Sequence, residues 1–300
     1  MTLLTGQELT GSRRRTYHVQ VPDDPAGPTV PVIFVFHGGG QDAITIAKRW
    51  YVDPPAPLPP DLCRYLLVFP ESDPLLDEEW VHLSALSSGF PTLDLVFTEE
   101  LLAELAGRDF ATGCDDVPVV RADLGLAYAA GFSNGGGMVW QLLNSGLAAS
   151  FRGFAAVGCA LEPEKVRHYR DQLAATGEVP APAPVAYVHG TADRTYRPTF
   201  LAEETALDET LPFFTVTEML QRNAVPGTGP ARTTLVPGST GVTEVVLQEF
   251  VGEAAFLQAT VINGGHNWPM PTTRGNPPVA EQFDATRTIV EFWRRHAGLP

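Results

Sequence analysis

Cysteine is scarce: the 300 residues carry three, Cys63, Cys114 and Cys159. They lack the Cys-x-x-Cys pairing of zinc and redox sites and allow at most one internal disulfide, with a Cys63 to Cys114 bridge left open. Cys159, inside an apolar run, reads as core filling. Basic residues are also few, 20 Lys and Arg against 35 Asp and Glu, for a formal net charge of -15. Outside Arg13-Arg14-Arg15 and Arg294-Arg295 they form no cluster, which argues against a nucleic acid as partner. No apolar run approaches the roughly 18 residues a bilayer span needs, so no membrane span is expected. The first residues show no apolar core followed by a small-residue cleavage site, so a cytoplasmic chain, or a secreted one whose signal has been removed, is expected. Internal repeats and long low-complexity segments are missing too, and nothing marks a subunit number.

What is present is a 44% hydrophobic chain long enough to bury a large core, expected as a single domain over 1–300. Short apolar runs bounded by turn residues recur at Tyr17 to Val21, Val32 to Phe36, Tyr65 to Phe69, Leu124 to Ala130, Phe154 to Cys159, Val185 to Val188 and Phe256 to Ile262. Helical spacing fills Leu93 to Leu105, Gly136 to Leu147, Pro212 to Gln221 and Glu281 to His296. Strands buried on both faces alternating with helices predict an α/β fold with a mainly parallel central sheet and helices on both faces. The stretches 53–60 and 195–237, rich in Pro, Thr and Gly, predict surface excursions.

Gly131-Phe132-Ser133-Asn134-Gly135 follows one of those runs and opens into a helical pattern. Gly-x-Ser-x-Gly between a strand and a helix is a nucleophile elbow, whose glycines admit a corner too tight for side chains and whose serine is held out for attack. A serine needs a base to take its proton and an acid to hold that base. In α/β-hydrolases the acid and then the histidine follow the serine along the chain. Asp193 ends the strand and turn Val185 to Ala192, and His266 lies on a loop behind Gly264-Gly265. These are the predicted acid and base. His18, His82, His168 and His296 read as structural or surface residues, and His189 as a support for the acid loop.

Acyl transfer also needs backbone N–H donors for the oxyanion. His37-Gly38-Gly39-Gly40-Gln41 follows a predicted strand, and Gly39, with Asn134 directly after the nucleophile, is the expected donor pair. A phosphate-binding reading of the same glycines fails because Gly-Lys-Ser/Thr and Gly-x-Gly-x-x-Gly are both missing. No His-x-x-x-His or cysteine cluster points to a metal, and no cofactor is expected.

These motifs, with Arg15-Thr16-Tyr17, Asp94-Leu95-Val96-Phe97, His189-Gly190-Thr191-Ala192-Asp193, Gly264-Gly265-His266-Asn267-Trp268-Pro269 and Phe283-Asp284-Ala285-Thr286, resemble the polyhydroxybutyrate depolymerase and feruloyl esterase group of α/β-hydrolases, which includes acetyl xylan esterases. The resemblance implies an α/β-hydrolase fold, a serine carboxylesterase working through an acyl-enzyme, Ser133 as nucleophile, Asp193 as acid, His266 as base, and a small-molecule or polymeric ester as partner. Gly39 stands where the family often has cysteine, and 80–90 departs from its pattern. Trp268 and Trp80, with Phe132 and Tyr196 behind them, are expected to wall an aryl or polymeric acyl group. A serine peptidase on the same fold, or a catalytically dead carbohydrate-binding protein, are the other readings.

Overall fold

A computed structural model describes residues 3–10, 14–53, 58–73, 80, 93–177, 181–195, 211–227, 229–238, 244–271 and 283–300. Contacts cluster into two compact units. The first holds Met1–Leu142, Leu147–Arg152 and Leu299, and the second Leu143–Gly146, Gly153–Gly298 and Pro300.

In the first unit the strands are β1 (Leu3–Thr10), β2 (Arg14–Gln20), β3 (Thr29–Phe36), β4 (Leu66–Pro70), β5 (Asp109–Ala111) and β6 (Val119–Phe132). Their order is β1-β2-β4-β3-β6, with β5 on β6. β4, β3 and β6 run parallel, while β1 and β2 join antiparallel at the edge. The sequence explains the centre: β3 and β4 are nearly unbroken apolar runs, and every residue of β4 and all but the first of β3 are buried. Each such side chain taken out of water contributes about 1.5 to 3 kcal/mol. β6 is longer than the run Leu124 to Ala130 because its outer half, exposed or half-buried apart from Val120, begins by pairing with β5. A register break follows, with Pro31 opposite Asp123 but Val32 opposite Ala127, so 124–126 bulge out and the inner half re-enters as a buried strand. Helices α1 (Ala43–Arg49), α2 (Leu93–Ala106) and α3 (Asn134–Leu143) follow strands or loops of this unit.

The second unit carries β7 (Gly153–Val157), β8 (Val185–Gly190), β9 (Arg232–Val236), β10 (Val245–Val251) and β11 (Ala255–Val261), ordered β7-β8-β11-β10-β9. β7, β8 and β11 are parallel, and β10 and β9 return antiparallel. Its helices are α4 (Pro163–Thr176), α5 (Leu211–Arg222) and α6 (Ala285–His296). α6 is strongly amphipathic: Asp284 caps it by accepting from Arg287 N–H at 3.0 Å, Ile289, Val290, Phe292 and Trp293 are buried, and Arg294, Arg295 and His296 occupy the last turn. Acceptor at the start and cations at the end both suit the helix dipole.

The excursion expected over 195–237 contains α5 and β9, while 196–210 lies outside the described residues, as do 54–57 of the other predicted excursion. Cys63, Cys114 and Cys159 are all free thiols, so the Cys63 to Cys114 bridge is not formed. Among the described residues no helix is long and apolar enough to cross a membrane.

Candidate active site

In the first unit the last residue of β6 leads into a turn at Ser133 and then into α3. Ser133 has φ 53°, a left-handed conformation that an L-residue other than glycine adopts at a cost of roughly 1 to 2 kcal/mol. The neighbouring glycines make that corner geometrically feasible. A Cβ on Gly131 would lie 2.1 Å from the Gly135 carbonyl oxygen, and one on Gly135 would lie 2.2 Å from the Phe36 and 2.4 Å from the His37 carbonyl oxygens. The elbow is therefore pressed directly against the end of β3. Met138, Val139, Leu142 and Leu143 anchor α3 from behind, all buried.

The loop after β3 is held by the His37 imidazole. Its Nδ1–H donates to Gly38 C=O at 2.8 Å, and Nε2 accepts from Ser72 N–H at 3.2 Å, which assigns the neutral tautomer. Burial pushes the His37 imidazole below its ordinary value, against a smaller opposing pull from the Gly38 bond and from Glu71. Gly38 N–H donates to Gln41 Oε1 at 3.4 Å. Gly39 and Gly40 form an exposed turn, and no hydrogen bond to another described residue occupies the Gly39 N–H. Asn134 N–H belongs to the first turn of α3.

Trp80 joins these two pieces. Its backbone N–H donates to Asn134 Oδ1 at 2.7 Å, its carbonyl accepts from Asn134 Nδ2 at 3.4 Å, and its indole N–H donates to the His37 carbonyl at 2.9 Å. At 1% exposure it is a buried strut rather than the substrate wall expected of it. Phe132 is also buried, its ring 3.1 Å from where a Gly38 Cβ would stand. Beneath Trp80, Arg15 and Asp94 form a buried ion pair at 2.5 Å. Arg15 also donates to the Glu71 carbonyl at 3.0 Å and places its guanidinium 3.8 Å from the Phe97 ring and 5.4 Å from the Trp80 ring.

In the second unit, β8 ends at Gly190 and β11 at Val261, adjacent in a parallel pair, so the loops after them emerge side by side. A Cβ on Gly190 would lie 2.3 Å from the Gly264 carbonyl oxygen. Contact between the two loops is sealed by Ala192 N–H to Gly264 C=O at 2.8 Å, Thr191 N–H to Val261 C=O at 2.9 Å, and Asn263 N–H to Thr191 Oγ1 at 2.7 Å. The result is His266 Nδ1 at 2.8 Å from Asp193 Oδ2. Asp193 is 1% exposed and its other oxygen accepts from Thr195 N–H at 2.8 Å. A buried carboxylate so engaged makes Nδ1 the protonated nitrogen and leaves Nε2 as the acceptor. His189 Nε2 lies 3.9 Å from the same carboxylate oxygen. Trp268, beside the base, is fully buried and donates its indole N–H to Thr286 Oγ1 at 3.0 Å, so it ties the His266 loop to α6 instead of facing solvent. Tyr196 lies outside the described residues.

The structure thus brings Asp193 and His266 into contact, and groups Ser133, Asn134, Phe132, Trp80 and the His37 to Gln41 loop. The support roles of Trp80, Arg15 and Asp94 were not visible in the sequence, although Asp94, a charge inside the otherwise apolar stretch Leu93 to Phe97, was an available signal. Among the described residues no group of three His, Cys, Asp or Glu side chains converges as a metal site would. A separate cavity of about 510 Å³ in the second unit is lined by β9, β10, β11 and α6, and four of its charges pair with one another, Arg295 with Glu249 at 2.5 Å and Arg287 with Asp284 at 3.5 Å.

No protein-family model matches the chain, and no curated protein is similar to it in sequence. Solved structures are similar in fold. An S-formylglutathione hydrolase from Agrobacterium tumefaciens is 14% identical with a TM-score of 0.54, over 100% of this chain and 99% of that one. A dienelactone hydrolase-like promiscuous phosphotriesterase from metagenomic libraries is 16% identical with a TM-score of 0.52, over 98% of both chains. A poly(3-hydroxybutyrate) depolymerase from Bordetella parapertussis is 16% identical, over 87% of this chain and 85% of that one, with a TM-score of 0.46, too low to favour one family over another. What the first two likenesses establish is the architecture: the chain has the α/β-hydrolase fold, a mixed sheet with parallel strands and helices on both faces.

Proposed function

We propose that the protein is a serine carboxylesterase that transfers an acyl group to Ser133 and then to water. The observation that carries this reading is the left-handed backbone of Ser133 at a strand-to-helix corner that glycine alone can flank. Such strain in a non-glycine residue persists where the surrounding structure over-determines it, and functional sites are where it clusters. The contact of His266 with a buried, hydrogen-bonded Asp193 supports it further, because an imidazole with Nδ1–H fixed on a carboxylate carries an unprotonated Nε2, the atom that takes a hydroxyl proton.

In this mechanism His266 Nε2 accepts the Ser133 proton as Oγ attacks the ester carbonyl. The resulting oxyanion is received by the N–H groups of Gly39 and Asn134. His266 then protonates the leaving alcohol, and a water deprotonated by the same nitrogen releases the acid and restores Ser133. Asp193 stays ionised throughout and stabilises the imidazolium.

The substrate class follows the sequence resemblance: feruloyl or acetyl esters of polysaccharides, hydroxyalkanoates or aromatic polyesters. Proteins of the same fold bear names of hydrolases, S-formylglutathione hydrolase and phosphotriesterase among them. With Trp80 and Trp268 buried, aromatic stacking no longer argues for an aryl acyl group. A panel of feruloyl, acetyl-xylan, hydroxybutyrate and terephthalate esters, run beside peptide amides, tests the assignment. Ester turnover that disappears in Ser133→Ala is the expected result. Cleavage of amides in preference to all esters would replace it with a peptidase, and sugar binding without turnover would replace it with a binding protein.

A further inference from the structure

Trp80 hydrogen-bonds two segments of the chain at once. Through its peptide N–H and C=O it grips the side-chain amide of Asn134, and through its indole N–H it grips the carbonyl of His37. The first segment carries the N–H directly after Ser133, and the second opens the Gly38 to Gly40 loop. A peptide group is planar, so fixing the His37 carbonyl also fixes the Gly38 N–H on the opposite edge of the same plane. That N–H is caught by Gln41 Oε1, which directs the chain into the Gly39 peptide.

The indole has little freedom to do anything else. Phe36 meets it edge-on with centroids 5.1 Å apart, the His37 ring lies 5.0 Å away, and the Arg15 guanidinium, pinned by Asp94, lies over the ring at 5.4 Å from its centroid. An ordinary core tryptophan needs one acceptor for its N–H. This one spans both arms of the loop and elbow, and the contact is completed where Gly135 meets the Phe36 and His37 carbonyls.

We propose that Trp80 is a positioning residue that sets the distance between the two oxyanion donors, the N–H groups of Gly39 and Asn134. The inference rests on the proposed function above. Removing one oxyanion donor outright lowers kcat by about 100-fold to 1,000-fold, and loosening the support of both should cost somewhat less, about 10-fold to 100-fold. Ground-state binding of the ester does not use the clamp, so KM should change little.

The test is Trp80→Phe, which keeps an aromatic ring in the box and deletes the indole N–H. Turnover of a nitrophenyl ester is measured per folded enzyme, alongside the rate of fluorophosphonate labelling, which also builds negative charge on an oxygen at the same position. Expected are a kcat lowered by about 10-fold to 100-fold, a KM within about twofold, and labelling slowed in proportion. Asn134→Ala cuts the other arm while retaining its own backbone N–H, and it should show the same split; it decides the matter if Trp80→Phe does not fold. A folded variant with wild-type kcat, or a rise in KM alone, overturns the clamp. Wild-type protein that neither turns over the ester nor labels at Ser133 overturns the underlying function, which is a distinguishable failure.

Discussion

Gly135→Ala tests the elbow without touching a functional side chain. The added Cβ would stand 2.2 Å from the Phe36 carbonyl oxygen and 2.4 Å from that of His37. Non-bonded heavy atoms settle at about 3.5 Å, so one backbone segment must retreat by roughly 1 Å. Neither neighbour is a flexible side-chain end: Phe36 is the last residue of β3, hydrogen-bonded in register with β6, and His37 is held at both ring nitrogens and at its carbonyl. Overpacking a core typically costs about 1 to 3 kcal/mol, and the absence of any soft partner puts this case at the upper end. A shift of about 1 Å in the Gly38 to Gly40 loop should in addition lower kcat by about 100-fold, the loss typical of misplaced catalytic groups. Gly27→Ala is the control, since a Cβ there meets nothing within 4 Å, and its effect should stay within about 0.5 kcal/mol. Urea unfolding and nitrophenyl ester turnover per folded enzyme measure both quantities. Gly135→Ala with the stability and kcat of Gly27→Ala would refute the reasoning from close approach.

Asp193→Asn should leave the fold intact while reducing kcat by about 10,000-fold, because an amide N–H facing His266 Nδ1 favours the wrong tautomer; a loss below tenfold would remove Asp193 from the machinery. At position 133, glycine should be more stable than alanine by about 1 kcal/mol in urea titrations, since only glycine occupies φ near 53° without cost, and equal midpoints would deny the strain. His37 carries a pH signature. Its imidazole is held below the ordinary histidine value of 6.5 by burial, so the unfolded chain binds a proton there that the folded chain refuses. Its contribution is therefore complete above about pH 6.5 and is lost as pH falls toward the folded value. His37→Gln should flatten the fall in urea midpoint between about pH 7.5 and 5.5, and an unchanged slope would place the proton uptake elsewhere.

The parallel centre of each unit was legible because its strands are buried on both faces and so appear as apolar runs. β9 and β10 were not, since each interleaves apolar with polar or charged residues: Arg232, Thr233 and Thr234 in one, Gln248 and Glu249 in the other. α1 is seven residues long, too short for a periodic pattern, and its signal was the cap, Asp42 accepting from Thr45 N–H at 2.7 Å. α4 is largely polar and was marked only by Pro163 at its start. The contact between Asp193 and His266 was legible from the glycines that let their loops touch. Trp80 and Trp268 were misread for one reason. Composition reports that an aromatic ring is near a motif, but only the hydrogen bonds of the indole N–H, to His37 and to Thr286, tell support from substrate contact.

The central claim is that Ser133 is the nucleophile. A fluorophosphonate probe followed by peptide mapping reads it directly: one adduct, on Ser133, formed in the wild type, absent in Ser133→Ala and strongly slowed in His266→Ala. An adduct on another serine, or ester turnover undiminished in Ser133→Ala, would contradict the account.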